Sequence, residues 1–149
     1  MKVRALHVRN GVFYVLIVLF ALIVASMGRA FVDVPFSVIA VLAIAFGLLG
    51  LVLVVLAARV SAARIEKIFF ILTGASAAVM PIFALLHNVV YGLFITWFGE
   101  GFWENHTGGD EPVFFLLAIV VCPALFLIGT VGSIVLFVKA RIANRANVP

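Results

Sequence analysis

The stretch Pro35–Ala58, PFSVIAVLAIAFGLLGLVLVVLAA, runs for 24 residues with no charged side chain and a single hydroxyl, that of Ser37. A helix of this length rises about 36 Å, enough to cross a hydrocarbon layer about 30 Å thick. An apolar segment in lipid must satisfy its own backbone N–H and C=O groups, and a helix does so within one segment. The Val and Ile content, which leans toward strands in water, yields to that requirement. This stretch therefore predicts a transmembrane helix.

Three more apolar stretches of similar reach lie around it, from about Val12 to Met27, Ile68 to Trp97 and Pro112 to Val138. Of the 149 residues, 66% are hydrophobic and 11% charged. A soluble domain is nearer half apolar and a quarter charged, and a chain this short has too much surface to hide such an excess. The expectation is one integral membrane domain over residues 1–149 with four spans.

The charges are sorted by side. Lys2, Arg4 and Arg9 precede the first span; Arg59, Arg64 and Lys67 lie between the second and third; Lys139, Arg141 and Arg145 follow the fourth. Those segments hold nine of the ten basic residues and one acid, Glu66. The intervening segments hold Arg29 and the other five acids, Asp33, Glu100, Glu104, Asp110 and Glu111. Lys and Arg accumulate on the cytoplasmic flank. The fold expectation is an all-α membrane protein, an antiparallel four-transmembrane-helix bundle with N- and C-termini cytoplasmic. The net charge of +4 is the balance between these basic flanks and the acidic segments that alternate with them, and it forms no dense patch for nucleic acid. The first span ends at Ala25-Ser26-Met27, which is not a small-x-small cleavage pattern, so it is read as a retained span.

Helices in lipid associate through close packing of small residues and through polar contacts. Each span carries small residues at helical spacing: Ala21, Ala25 and Gly28; Ala40, Ala43, Gly47 and Gly50; Gly74 and Ala78, beside Ser76 and Ala77; Ala118, Cys122, Gly129 and Ser133. Pro35 and Pro112 stand near the first turns of their helices, where a missing N–H costs little. Pro81 and Pro123 fall inside spans three and four and remove a backbone hydrogen bond each.

The candidate site is a polar cluster, His87, Asn88 and Tyr91 on span three with Cys122 on span four. His87 lies ten residues inward from Trp97, and Cys122 ten residues inward from Pro112. That spacing predicts a shared depth near mid-membrane, where polar side chains face a bundle interior. Met80 and Ala84 share the His87 face of the helix. Four carboxylates lie in the loop from Phe98 to Glu111, and Asp110 and Glu111 are placed to cap the helix that Pro112 opens. Asn105-His106-Thr107 fits a glycosylation sequon, placed too close to the membrane for ready modification.

With one cysteine, the chain lacks the paired cysteines of quinone-linked thiol oxidoreductases and the loop cysteines of tetraspanins and claudins. It also lacks the membrane-embedded glutamate of small multidrug exporters. No catalytic set, metal ligand set or cofactor is expected: the spans hold one His, one Cys and no carboxylate. The leading expectation is a non-enzymatic scaffold or accessory subunit in a plasma or cytoplasmic membrane. Its surroundings would be the lipid bilayer and either a membrane-protein partner or further copies of itself. One alternative is a homo-oligomeric channel or transporter for a small solute or ion, built around His87. Another is intramembrane metal or haem binding at His87 and Cys122.

Overall fold

The computed structural model describes residues 2–27 and 35–146. Gly28, Arg29 and Asp33 lie outside the described residues, as does the side chain of Lys2. The described residues form helices and no strand: α1 (Lys2–Met27), α2 (Phe36–Arg59), α3 (Arg64–Phe98), the short α4 (Phe102–Thr107), α5 (Pro112–Leu116), a π-helical turn (Leu117–Val121) and α6 (Cys122–Ala146). Helix α5, the π turn and α6 run on without interruption. Four helical stretches are long and apolar enough to cross a membrane: Arg4–Ser26, Phe36–Arg59, Arg64–Phe98 and Pro112–Ala143.

The helices overrun the apolar stretches. Helix α1 begins well before Val12, and α3 begins four residues before Ile68. Charged residues that the sequence places in flanks therefore sit on helical turns in register with apolar ones. On α1 the inward positions are Arg9, Phe13, Leu16 and Ile23, with Phe20 packed against them. Spacings of three and four keep this set on one face.

Helix α3 is the centre of the packing. It meets α2 where Gly50 and Gly74 lie backbone to backbone. A Cβ on Gly50 would stand 2.6 Å from the Gly74 carbonyl oxygen, and one on Gly74 would stand 2.7 Å from that of Gly50. One turn along, Gly47 leaves room for the Pro81 ring, which a Cβ would meet at 2.8 Å. On its other side α3 meets α6: Gly129 sits against Thr73, and Gly132 against the Phe69 ring. The small residues of α2, α3 and α6 thus make the expected seams. On α1 they do not: Ala21 and Ala25 are exposed, and large side chains face inward instead. Size explains the difference. Aromatic rings on α1 reach into the gap between α2 and α6, so a close backbone approach is not needed there.

Two aromatic triplets tie α1 and α6 into the core. Phe13 (α1), Phe70 (α3) and Phe137 (α6) meet edge to face, with centroids 5.1–6.2 Å apart. Phe20 (α1), Phe46 (α2) and Phe126 (α6) form the second, with centroids 4.6–6.1 Å apart. Such pairs contribute about 0.5–1.5 kcal/mol each beyond the area they bury. Helix α3 stays helical through Pro81. At Pro123 the chain responds differently. The proline ring crowds the carbonyl four residues back, and the preceding turn widens so that the Cys122 N–H reaches the Leu117 oxygen.

The Gly50–Gly74 contact should not tolerate bulk. Gly74→Leu is expected to destabilise the protein by about 1–3 kcal/mol through overpacking, read as a lower unfolding midpoint in detergent. Gly11→Ala, at a position with nothing within 4 Å of a new Cβ, is the control and should not lower it.

Candidate functional site

The structure assembles two polar sites on α3, one in its first turn and one about three turns before its end. The first involves a residue that the sequence placed in a solvated flank. Arg9 is 1% exposed, and its Nη2 lies 2.7 Å from Glu66 Oε1. Its Nε and Nη2 donate to Asn10 Oδ1 at 3.1 and 3.0 Å, and its guanidinium carbon stands 4.1 Å from the centre of the Phe70 ring. Nη1 has no partner among the described residues. A buried guanidinium persists where a carboxylate, an amide oxygen and an aromatic face replace its water. The signal for Arg9 was present in the sequence: it leads the series Phe13, Leu16, Phe20 at helical spacing.

The second site contains His87. Its Nδ1 lies 3.3 Å from Glu111 Oε2 and its Nε2 lies 3.5 Å from Asp110 Oδ1. Glu111 is 3% exposed. Its Oε1 accepts from the Val113 N–H at 2.8 Å, and its Oε2 accepts from the Phe114 N–H at 2.9 Å. The carboxylate caps α5 and holds the His87 ring in the same grip, a geometry that suits the positive end of a helix. Asp110 Oδ1 also accepts the Glu111 N–H at 2.8 Å, which fixes the corner.

His87 and Cys122 are not brought together. With Gly129 against Thr73, the same register sets Cys122 beside Met80, two helical turns or about 10 Å from the His87 level. The expected shared depth assumed that Trp97 and Pro112 are level. They are not, because α4 folds back along the last turns of α3. Trp103 Nε1 donates to the Tyr91 carbonyl at 3.0 Å, and the two rings stack at 6.0 Å with 9° between planes. Phe94 packs on Trp97, Phe98, Phe102 and Trp103. The corner before α5 consequently meets α3 at His87. Among the described residues, no three His, Cys, Asp or Glu side chains are grouped to hold a metal ion.

The other members of the expected cluster stay beside His87, each with partners of its own. Tyr91 belongs to the α4 contact, with its ring 6.3 Å from that of His87. Asn88 is exposed, and its Nδ2 donates to the Ala84 carbonyl at 2.8 Å. Cys122 is buried in the α6 seam. Beside the π turn, Ala84, His87, Asn88, Phe115, Ala118 and Ile119 line an outward-opening pocket of about 250 Å³. Of the sequon, Asn105 is exposed, while the Thr107 hydroxyl is occupied by the Asp110 carbonyl at 2.5 Å.

Compared with family models, curated proteins and solved structures, the chain gives no significant match to any of them.

Removing the buried carboxylate should hurt more than removing its exposed neighbour. Glu111→Ala is expected to cost about 1–2 kcal/mol through the lost cap and the orphaned amides. Asp110→Asn should cost less, since that side chain is 54% exposed. Unfolding midpoints in detergent compare the two. At the other end, Glu66→Gln should destabilise by about 1–3 kcal/mol, and pairing Arg9→Met with Glu66→Leu should restore most of the loss, as buried ion pairs replaced together often do.

Proposed function

We propose that the chain is a single integral domain of a plasma or cytoplasmic membrane, an antiparallel four-helix bundle with both termini cytoplasmic. We further propose that it works as a non-enzymatic scaffold or accessory subunit of a larger membrane complex. The observation that carries this reading is where the polar side chains of the long helices spend their hydrogen bonds. Thr73 and Ser76 donate to the carbonyls of Phe69 and Leu72 on their own helix, at 2.9 and 2.6 Å, and Asn88 does likewise. His87 is held by the α5 cap. The buried hydroxyls of Thr130 and Ser133, without a partner among the described residues, lie near the Thr73 level, about 20 Å from His87. These groups do not line up as a relay.

The antiparallel arrangement is supported by contacts that run in opposite senses along neighbouring helices: Gly47 with Pro81 and Gly50 with Gly74, then Thr73 with Gly129 and Phe69 with Gly132. Its orientation is supported by the basic end. Arg4, Arg59, Arg64, Lys67 and Lys139 lie at that end of their helices, and Glu66 there is engaged by Arg9. Among the described residues, the connections between the long helices are short, with α4 as their one helical element.

A second reading rests on the pocket at His87 and Asn88. It opens on the perimeter, so a polar passage there would form only between copies of the chain, as in a homo-oligomeric channel or transporter. Two assays separate the readings. Native mass spectrometry of protein extracted gently from its own membrane is expected to show a stoichiometric foreign subunit. His87→Gln should leave that complex intact, and Gly47→Leu should dissociate it. A symmetric homo-oligomer, with pH-dependent liposome flux abolished by His87→Gln, would replace the scaffold reading with the channel. For topology, Glu104→Cys and Lys139→Cys in a Cys122→Ser background should label from opposite faces of sealed vesicles.

A further inference from the structure

A pocket of about 380 Å³ lies at the basic end and is lined by Ala5, Leu6, Leu56, Arg59, Val60 and Ser61. Its volume falls within the range of about 300–1,000 Å³ typical of small-ligand sites. The lining is amphipathic: Ala5, Leu6, Leu56 and Val60 are apolar, whereas Arg59 and Ser61 supply a cation and a hydroxyl. Neither Arg59 nor Ser61 makes an ion pair or side-chain hydrogen bond among the described residues. Lys67 turns its Nζ to the Ala58 carbonyl at 3.3 Å, one residue from Arg59.

The nearby charge is unbalanced for a specific reason. Glu66, the one acid of this end, is spent on buried Arg9. Arg4, Arg59, Arg64 and Lys67 are left without a carboxylate among the described residues. Helix α3 starts three residues after Ser61, and no side chain caps its first turn. An arginine fork suits a phosphate, and a basic pocket between helices at the cytoplasmic surface suits an anionic headgroup.

We propose that this pocket binds the phosphodiester headgroup of an anionic phospholipid. Arg59 and Ser61 hold the phosphate oxygens, and the apolar floor of Ala5, Leu6, Leu56 and Val60 receives the first methylenes of the chains. The inference rests on the membrane reading above. The vesicle labelling already described tests that reading without reference to lipid, so the two can fail separately.

The test is native mass spectrometry of the delipidated full chain in detergent, titrated with phosphatidylglycerol or with phosphatidylcholine. One phosphatidylglycerol per chain is expected to survive gas-phase activation that strips phosphatidylcholine. Arg59→Gln should lower its retention about fivefold, the effect of one basic contact near a headgroup. Ala5→Trp, which fills the pocket without changing charge, should lower it as well. Arg141→Gln, a basic change away from the pocket, should leave retention unchanged; the unfolding midpoint without lipid checks that each variant is folded. Equal retention of both lipids, or equal loss in the Arg59 and Arg141 variants, would overturn the proposal in favour of diffuse attraction. Full competition by millimolar glycerol phosphate would overturn it in favour of a site for a soluble phosphate.

Discussion

The backbone contact between Gly50 and Gly74 sets the position of everything else. Two apolar helices surrounded by lipid gain little by hiding apolar surface from each other, since the lipid is as apolar as they are. They gain by approaching closely enough for dispersion contacts to accumulate along both backbones. Only a pair of residues without side chains allows that approach here. Once α2 and α3 are locked in this register, Gly47 must receive the Pro81 ring, and the opposite face of α3 presents Phe69 and Thr73 to the glycines of α6. Helix α1 then fills the remaining gap with rings, because a groove between three closely packed helices is too wide for alanine.

The same register explains the chemistry at the two polar sites of α3. At one end it brings Glu66 level with Arg9, so a guanidinium is buried with a carboxylate and the Phe70 face in place of water. Farther along α3 it brings His87 level with the turn before α5, so one carboxylate caps a helix and holds an imidazole. One site thus ties α1 to the central helix and the other ties the turn before α5 to it, each through a charged group with several partners. Between them, hydroxyls of α3 fold back on their own helix, which satisfies them without a partner.

The pairing of Arg9 with Glu66 also affects the surface. The buried charge pair engages the one acid of the basic end, so among the described residues Arg59 faces its pocket without a competing carboxylate. Structure and surface electrostatics are linked here by a single side chain.

What was legible from sequence was local. The apolar stretches marked four long helices, because a helix is the form in which one segment satisfies its own backbone in lipid. Pro112 and Glu111 marked the start of α5, and the small residues of α2, α3 and α6 marked the faces that meet. The candidate polar cluster was legible only as a set of residue types. Depth counted from Trp97 and Pro112 put His87 opposite Cys122, but the fold-back of α4 shifted the level at which α5 begins, and His87 met Glu111 instead. Arg9 counted as a flank charge until α1 proved to extend through it, in line with Phe13 and Leu16. Hydropathy and backbone hydrogen bonding act within a segment, so the sequence by itself determined which residues are helical and where the charges collect. Rotation and register depend on side chains from three or four helices fitting at once, so only the tertiary structure decided which of those residues touch.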